Sequence, residues 1–71
     1  MKRTIQQLRE EHGESRMQLA DSLQVTLDEL SDWELGRDVP GLSNIRALAE
    51  HFDVPEYDLE LYPPREEAHA E

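Results

Sequence analysis

Apolar residues recur along this chain in short groups with helical spacing. Ile5 and Leu8 are three apart, Leu19, Ala20 and Leu23 follow, and Leu30 and Trp33 are again three apart. Ile45, Leu48, Ala49 and Phe52 then keep the i, i+3, i+4, i+7 pattern of a stripe buried on one helix face. Three hydroxyl residues stand before the first three groups, each with a glutamine or glutamate three positions on: Thr4 with Gln7, Ser15 with Gln18, Thr26 with Glu29. That is the spacing of a capping box, in which the hydroxyl accepts from one backbone amide and the later side chain reaches back to the cap. The pattern predicts helices over Ile5–Glu11, Arg16–Leu23 and Leu27–Leu35, and a fourth over about residues 42–51. Gly13 and Gly36 stop the first and third, and the Pro40-Gly41 pair marks a loop before the fourth. A short fifth helix is expected over about residues 56–61, returning Leu59 to the core before Pro63-Pro64. No strand signal stands out and no repeat is present, so the fold class predicted is an all-α, five-helix bundle. Residues 1–62 form the domain, and the polar, acidic residues 63–71 are expected to be a disordered tail.

With 71 residues the chain is one small domain, and a core of that size stabilises by only about 3–5 kcal/mol. It contains no cysteine, so disulfides and thiolate metal sites are excluded. After Lys2 and Arg3 the chain continues through Gln6, Gln7, Arg9, Glu10 and Glu11, which is not a secretory leader. No stretch is apolar enough for a membrane helix, and a cytoplasmic protein is expected.

The middle of the chain is the most specific part. Two helices joined by a tight turn need a small residue where they touch, here Ala20, and an apolar anchor after the turn, here Val25, with Leu30 completing the contact. The run Ser15-Arg16-Met17-Gln18-Leu19-Ala20, then Val25-Thr26, then Trp33-Glu34-Leu35-Gly36-Arg37 and Pro40, resembles the lambda-repressor/Cro family of helix-turn-helix domains, also called the xenobiotic-response-element family. The resemblance continues through Leu48-Ala49-Glu50-His51-Phe52 and Val54 and covers about residues 4–60. It implies a lambda-repressor-like bundle, with the helix Leu27–Leu35 lying in a DNA major groove. It implies DNA contacts from Arg16, Thr26, Leu27, Asp28 and Asp32, with Arg37 and the N-terminal arm, Lys2 and Arg3, as nearby cations. Asp28 would accept from a cytosine amine and Leu27 would meet a thymine methyl. It also implies a pair between Arg9 and Glu34, either a structural ion pair or one whose arginine also faces a phosphate. Two turns depart from the family: Gln24 and Asp53 stand where glycine is usual.

Charge opposes the DNA reading. Seventeen acids against seven bases give a net charge of −10, whereas DNA affinity comes largely from cations displacing counterions at phosphates. Some of the acid lies in residues 56–71, six acids against Arg65. The recognition helix itself carries Asp28, Glu29, Asp32 and Glu34 and no base. Two functions follow. One is a transcription regulator that binds double-stranded DNA, as a homodimer through Tyr57, Leu61 and Tyr62 unless those side chains cover the core instead. The other is a helix-turn-helix module that has lost DNA binding and offers its acidic face to a basic protein. His12, His51 and His69 are scattered, with His51 expected at the negative end of the fourth helix. No nucleophile–base spacing or phosphate-cradling glycine loop is present, so no enzyme, metal or cofactor is expected.

Overall fold

The computed structural model describes residues 2–61. Their order is β1 (Arg3–Thr4), α1 (Ile5–Glu11), α2 (Arg16–Leu23), α3 (Leu27–Leu35), α4 (Leu42–Phe52), a 3-10 turn (Glu56–Asp58) and β2 (Leu59–Glu60). The first three helices start where their hydroxyl residues stand. Thr4 Oγ1 accepts from the Gln7 amide at 3.0 Å, and Gln7 Oε1 accepts from the Thr4 amide at 2.8 Å. Ser15 with Gln18 and Thr26 with Glu29 make the same reciprocal bonds. Six of the orphan amides that helix starts would leave are thereby satisfied locally. Helix α4 begins on Gly41 without a side-chain cap.

Four residues with positive φ, Gly13, Gln24, Gly36 and Asp53, stand at or just past the four helix ends. After each, an amide reaches back five residues: Glu14 to the Arg9 carbonyl, Val25 to Ala20, Arg37 to Asp32 and Val54 to Ala49, all at 2.9–3.0 Å. These are Schellman closures, which turn the chain sharply without leaving carbonyls unpaired. Gln24 (φ 60°) and Asp53 (φ 58°) adopt the left-handed conformation despite a Cβ, so the departures from glycine change the strain and leave the turn geometry intact.

Ile5, Leu8, Leu19, Ala20, Leu30, Trp33, Leu48, Ala49, Phe52 and Leu59 form one buried cluster, with Leu23, Val25, Ile45, Val54 and Leu61 packed against it. Every helix contributes its apolar stripe, as the spacing predicts. The expected fifth helix is not there. One 3-10 turn follows Pro55, and the chain then extends as β2. β2 lies parallel to β1, with Arg3 opposite Leu59 and Thr4 opposite Glu60. A segment this short recovers too few hydrogen bonds to offset helix nucleation. The alternation Leu59, Glu60, Leu61 suits an extended strand whose leucines turn inward, and Leu59 is 2% exposed. The fold is thus four helices and a two-stranded clamp rather than five helices. Among the described residues, no helix is long and apolar enough to cross a membrane. The expected tail, residues 63–71, lies outside the described residues.

Replacing Gln24 or Asp53 with glycine removes the left-handed strain, less the extra chain entropy of glycine. Asp53→Gly also removes a carboxylate from the negative end of α4. Each substitution should raise stability by about 0.5–1 kcal/mol, seen as a higher urea midpoint at unchanged slope.

Candidate nucleic-acid interface

Helices α2 and α3, joined through Gln24 and Val25, make the helix-turn-helix. Ala20 is buried in α2, and Val25 and Leu30 pack into the core. A polar contact is added to this apolar seam. The Glu34 side chain of α3 is fully buried, and two arginines reach it. Arg9 of α1 donates from Nε to Oε2 at 2.8 Å and from Nη2 to Oε1 at 3.2 Å. Arg16 of α2 donates from Nε to Oε1 at 2.9 Å. Arg9 Nη1 also donates to the Glu14 carbonyl at 2.9 Å. The Glu34 hydrogen bond raises the Arg9 pKa above an ordinary arginine, outweighing the burial that lowers it. Among the described residues, no buried side-chain nitrogen or oxygen lacks a hydrogen-bond partner.

The residues singled out for DNA fall into three groups. Thr26, Leu27, Asp28 and Asp32 share the outward side of α3. Thr26 and Leu27 are exposed at its start, Asp28 is exposed one turn before Asp32, and Asp32 is half-buried. Thr26 Oγ1 is committed as acceptor to the Glu29 amide, which leaves the hydroxyl hydrogen able to donate. Arg16 and Arg37 border this surface, and both are engaged by carboxylates of α3: Arg16 by Glu34, and Arg37 Nη1 by Asp32 Oδ1 at 3.4 Å. Arg3 is elsewhere. It is not part of a flexible arm, because it sits in β1 with its guanidinium 2.6 Å from Glu11. Pairing with Leu59 of β2 fixes its backbone, so the expected flexible arm is instead a strand whose guanidinium is already held by Glu11.

The acids of α3 also look different in place. Glu29 closes a capping box and lies with Asp28 in the first turn, where the helix dipole favours negative charge. Asp32 pairs with Arg37, and Glu34 is neutralised inside the domain. Only Asp28 has no partner that is part of the fold's own bookkeeping of charge, and dipole and position suffice to explain it.

One polar contact had no local signal in the sequence. His51 Nε2, in the last turn of α4, lies 2.8 Å from Glu14 Oε2. His51 is at the helix end as expected, but its ring is turned to the α1–α2 linker. His12 donates from Nδ1 to the Leu8 carbonyl at 2.9 Å and tilts against Phe52 at 5.0 Å, with His51 at 4.9 Å from the same ring. Of the residues expected at a dimer surface, Tyr57 is 77% exposed, Leu61 packs against the core, and Tyr62 lies outside the described residues.

Removing Arg9 leaves a buried carboxylate with one arginine, whereas removing Arg16 leaves the bidentate partner in place. Arg9→Met should therefore destabilise the domain by about 3 kcal/mol or more, and Arg16→Met by at most about 1 kcal/mol. The double variant Arg9→Met, Glu34→Met should recover part of the loss in a urea titration, because no charge is then stranded.

A family model described as helix-turn-helix domain matches residues 3–61, which is most of the chain. No curated protein and no solved structure gives a significant match. The matched segment contains all four helices and both strands, and its α2–turn–α3 unit is the one the sequence motif marks. The chain therefore belongs to the helix-turn-helix domain family, of the lambda-repressor/Cro type.

Proposed function

We propose that this protein is a regulator that binds double-stranded DNA through the outward side of α3, with Arg16 and Arg37 reaching the phosphates. The observation that supports it is that three of the four carboxylates of α3 are engaged within the domain: Glu29 in a cap, Asp32 with Arg37, Glu34 under two arginines. The acidity that argues against DNA is thus largely spent on folding. What remains outward is Thr26, a hydroxyl donor for phosphate, Leu27, an apolar contact for a thymine methyl, and Asp28, an acceptor for a cytosine amine. So few cations give weak, salt-sensitive binding. In this reading Arg3 takes no part, and Tyr57 is the described residue that a second copy would cover.

A second reading is favoured by the same two arginines. Neither Arg16 nor Arg37 is without a carboxylate, and the whole chain carries −10. A basic protein would then be the partner of the α3 face.

One titration separates them. The labelled protein is mixed with mixed-sequence duplex DNA at about 20 mM salt, where screening is weak, and the salt is then raised. The expected outcome is amide shifts confined to Arg16, Thr26, Leu27, Asp28, Asp32 and Arg37, with log K falling against log salt at a slope of about −2, two phosphates neutralised. If no amide moves, the DNA reading is wrong. Shifts at Asp28 and Asp32 on adding a lysine-rich peptide would then favour the second.

A further inference from the structure

Asp32 and Arg37 are bound to each other twice. The Asp32 carbonyl accepts from the Arg37 amide at 2.9 Å and from the Asp38 amide at 3.3 Å, which closes α3 and brings residue 37 back over the helix. The Asp32 carboxylate then meets the Arg37 guanidinium at 3.4 Å. Asp32 stands one helical turn from Asp28, so Arg37 is held beside the outward stripe that would face a groove. This pair is unlike that of Glu34. Its side chains are 67% and 41% exposed, against 0% for Glu34, and it has one long contact instead of a fork. A pair of this kind stabilises little and is readily given up to a stronger anion.

We infer that Asp32 is an autoinhibitory lock on Arg37: its carboxylate occupies the guanidinium in the free protein, and Arg37 reaches a phosphate only by giving up Asp32, an exchange close to balanced. This rests on the DNA-binding reading above. The lock follows from the placement of charge. Of the two arginines bordering the surface, Arg16 is held at 2.9 Å by a carboxylate with no exposed surface, and Arg37 by one contact of 3.4 Å to an exposed carboxylate, which is the pair more easily exchanged. The exchange leaves Asp32 facing the phosphates that displaced it, so each binding event releases one cation and exposes one anion. Asp32 thereby sets a ceiling on affinity for any duplex. It also makes the domain respond to whatever neutralises that carboxylate, a cation of a neighbouring protein included.

The test is a double-mutant cycle on the full chain, measuring affinity for a mixed-sequence duplex over a range of salt. Asp32→Asn keeps the carbonyl that closes α3, and an unchanged melting temperature checks the fold. It should tighten binding about tenfold, because Arg37 then reaches its phosphate without giving up a carboxylate and no anion is left beside the DNA. Arg37→Ala should weaken the natural chain less than about twofold but the Asp32→Asn variant about tenfold. Asp28→Asn, which removes a nearby charge that holds no arginine, should tighten binding without changing the cost of Arg37→Ala. If Arg37→Ala costs the same with and without Asp32, the aspartate merely repels phosphate and the lock is refuted. Where Asp32→Asn binds and the natural chain binds undetectably, the lock is supported if adding Arg37→Ala abolishes that binding and refuted if the binding persists. If neither binds at about 20 mM salt, the DNA-binding reading itself falls, and the lock with it.

Discussion

The geometry of this domain depends on burying Glu34. A carboxylate with no exposed surface is costly unless its oxygens are fully used, and here two arginines from two other helices use them. That requirement fixes distances that leucines alone would leave adjustable. Helices α1, α2 and α3 must approach until both guanidinium groups reach one carboxylate, so the angle between α2 and α3 is specified by charge as well as by Ala20. The same network extends outward, since Arg9 also takes the Glu14 carbonyl and Glu14 takes His51. Polar contacts therefore join α2 to α4 through partly buried side chains beside the core, in a domain whose apolar cluster numbers only ten buried residues.

The net charge of −10 is a poor guide to the surface of α3. Glu34 counts as an anion in the sequence, and in the fold it is the one carboxylate in a cluster with two arginines. Glu29 is a capping group before it is a charge. Asp28 sits where a helix dipole welcomes it. The acids of α3 thus serve the start, the interior and the closing turn of one short helix. The electrostatic obstacle left for a polyanion lies in the exposed Asp28 and Glu29 of the first turn and in Asp32, one turn on, beside Arg37.

Local chemistry made most of the fold legible. Capping boxes are four-residue signals, and Thr4, Ser15 and Thr26 each begin a helix where such a signal stands. The stripes of Leu19 and Ala20, and of Leu48, Ala49 and Phe52, needed only helical periodicity. The strand pair was not legible in that way, because Leu59 opposes Arg3 across nearly the whole domain and a two-residue strand carries almost no propensity of its own. The inward return of Leu59 suggests a fifth helix, but an extended strand supplies the same return. For the candidate site, Arg9 and Glu34 were matched through the family motif. That Arg16 shares the same carboxylate, and that Arg37 folds back on Asp32, depends on where a long side chain ends up after packing. His51 and Glu14 lie 37 residues apart, beyond any spacing rule.

The clamp of β1 and β2 has a kinetic meaning. Its partners are the first and last described elements, and joining Arg3 to Leu59 closes a loop that costs roughly 3–4 kcal/mol of chain entropy if nothing else is formed. The helices between them shorten that loop once they have packed. The four-residue sheet therefore belongs to the end of folding, after the transition state, and its opening needs no disruption of α2 and α3. Hydrogen exchange at the edges of this domain would then report a local event, while the helix-turn-helix stays closed at its buried carboxylate.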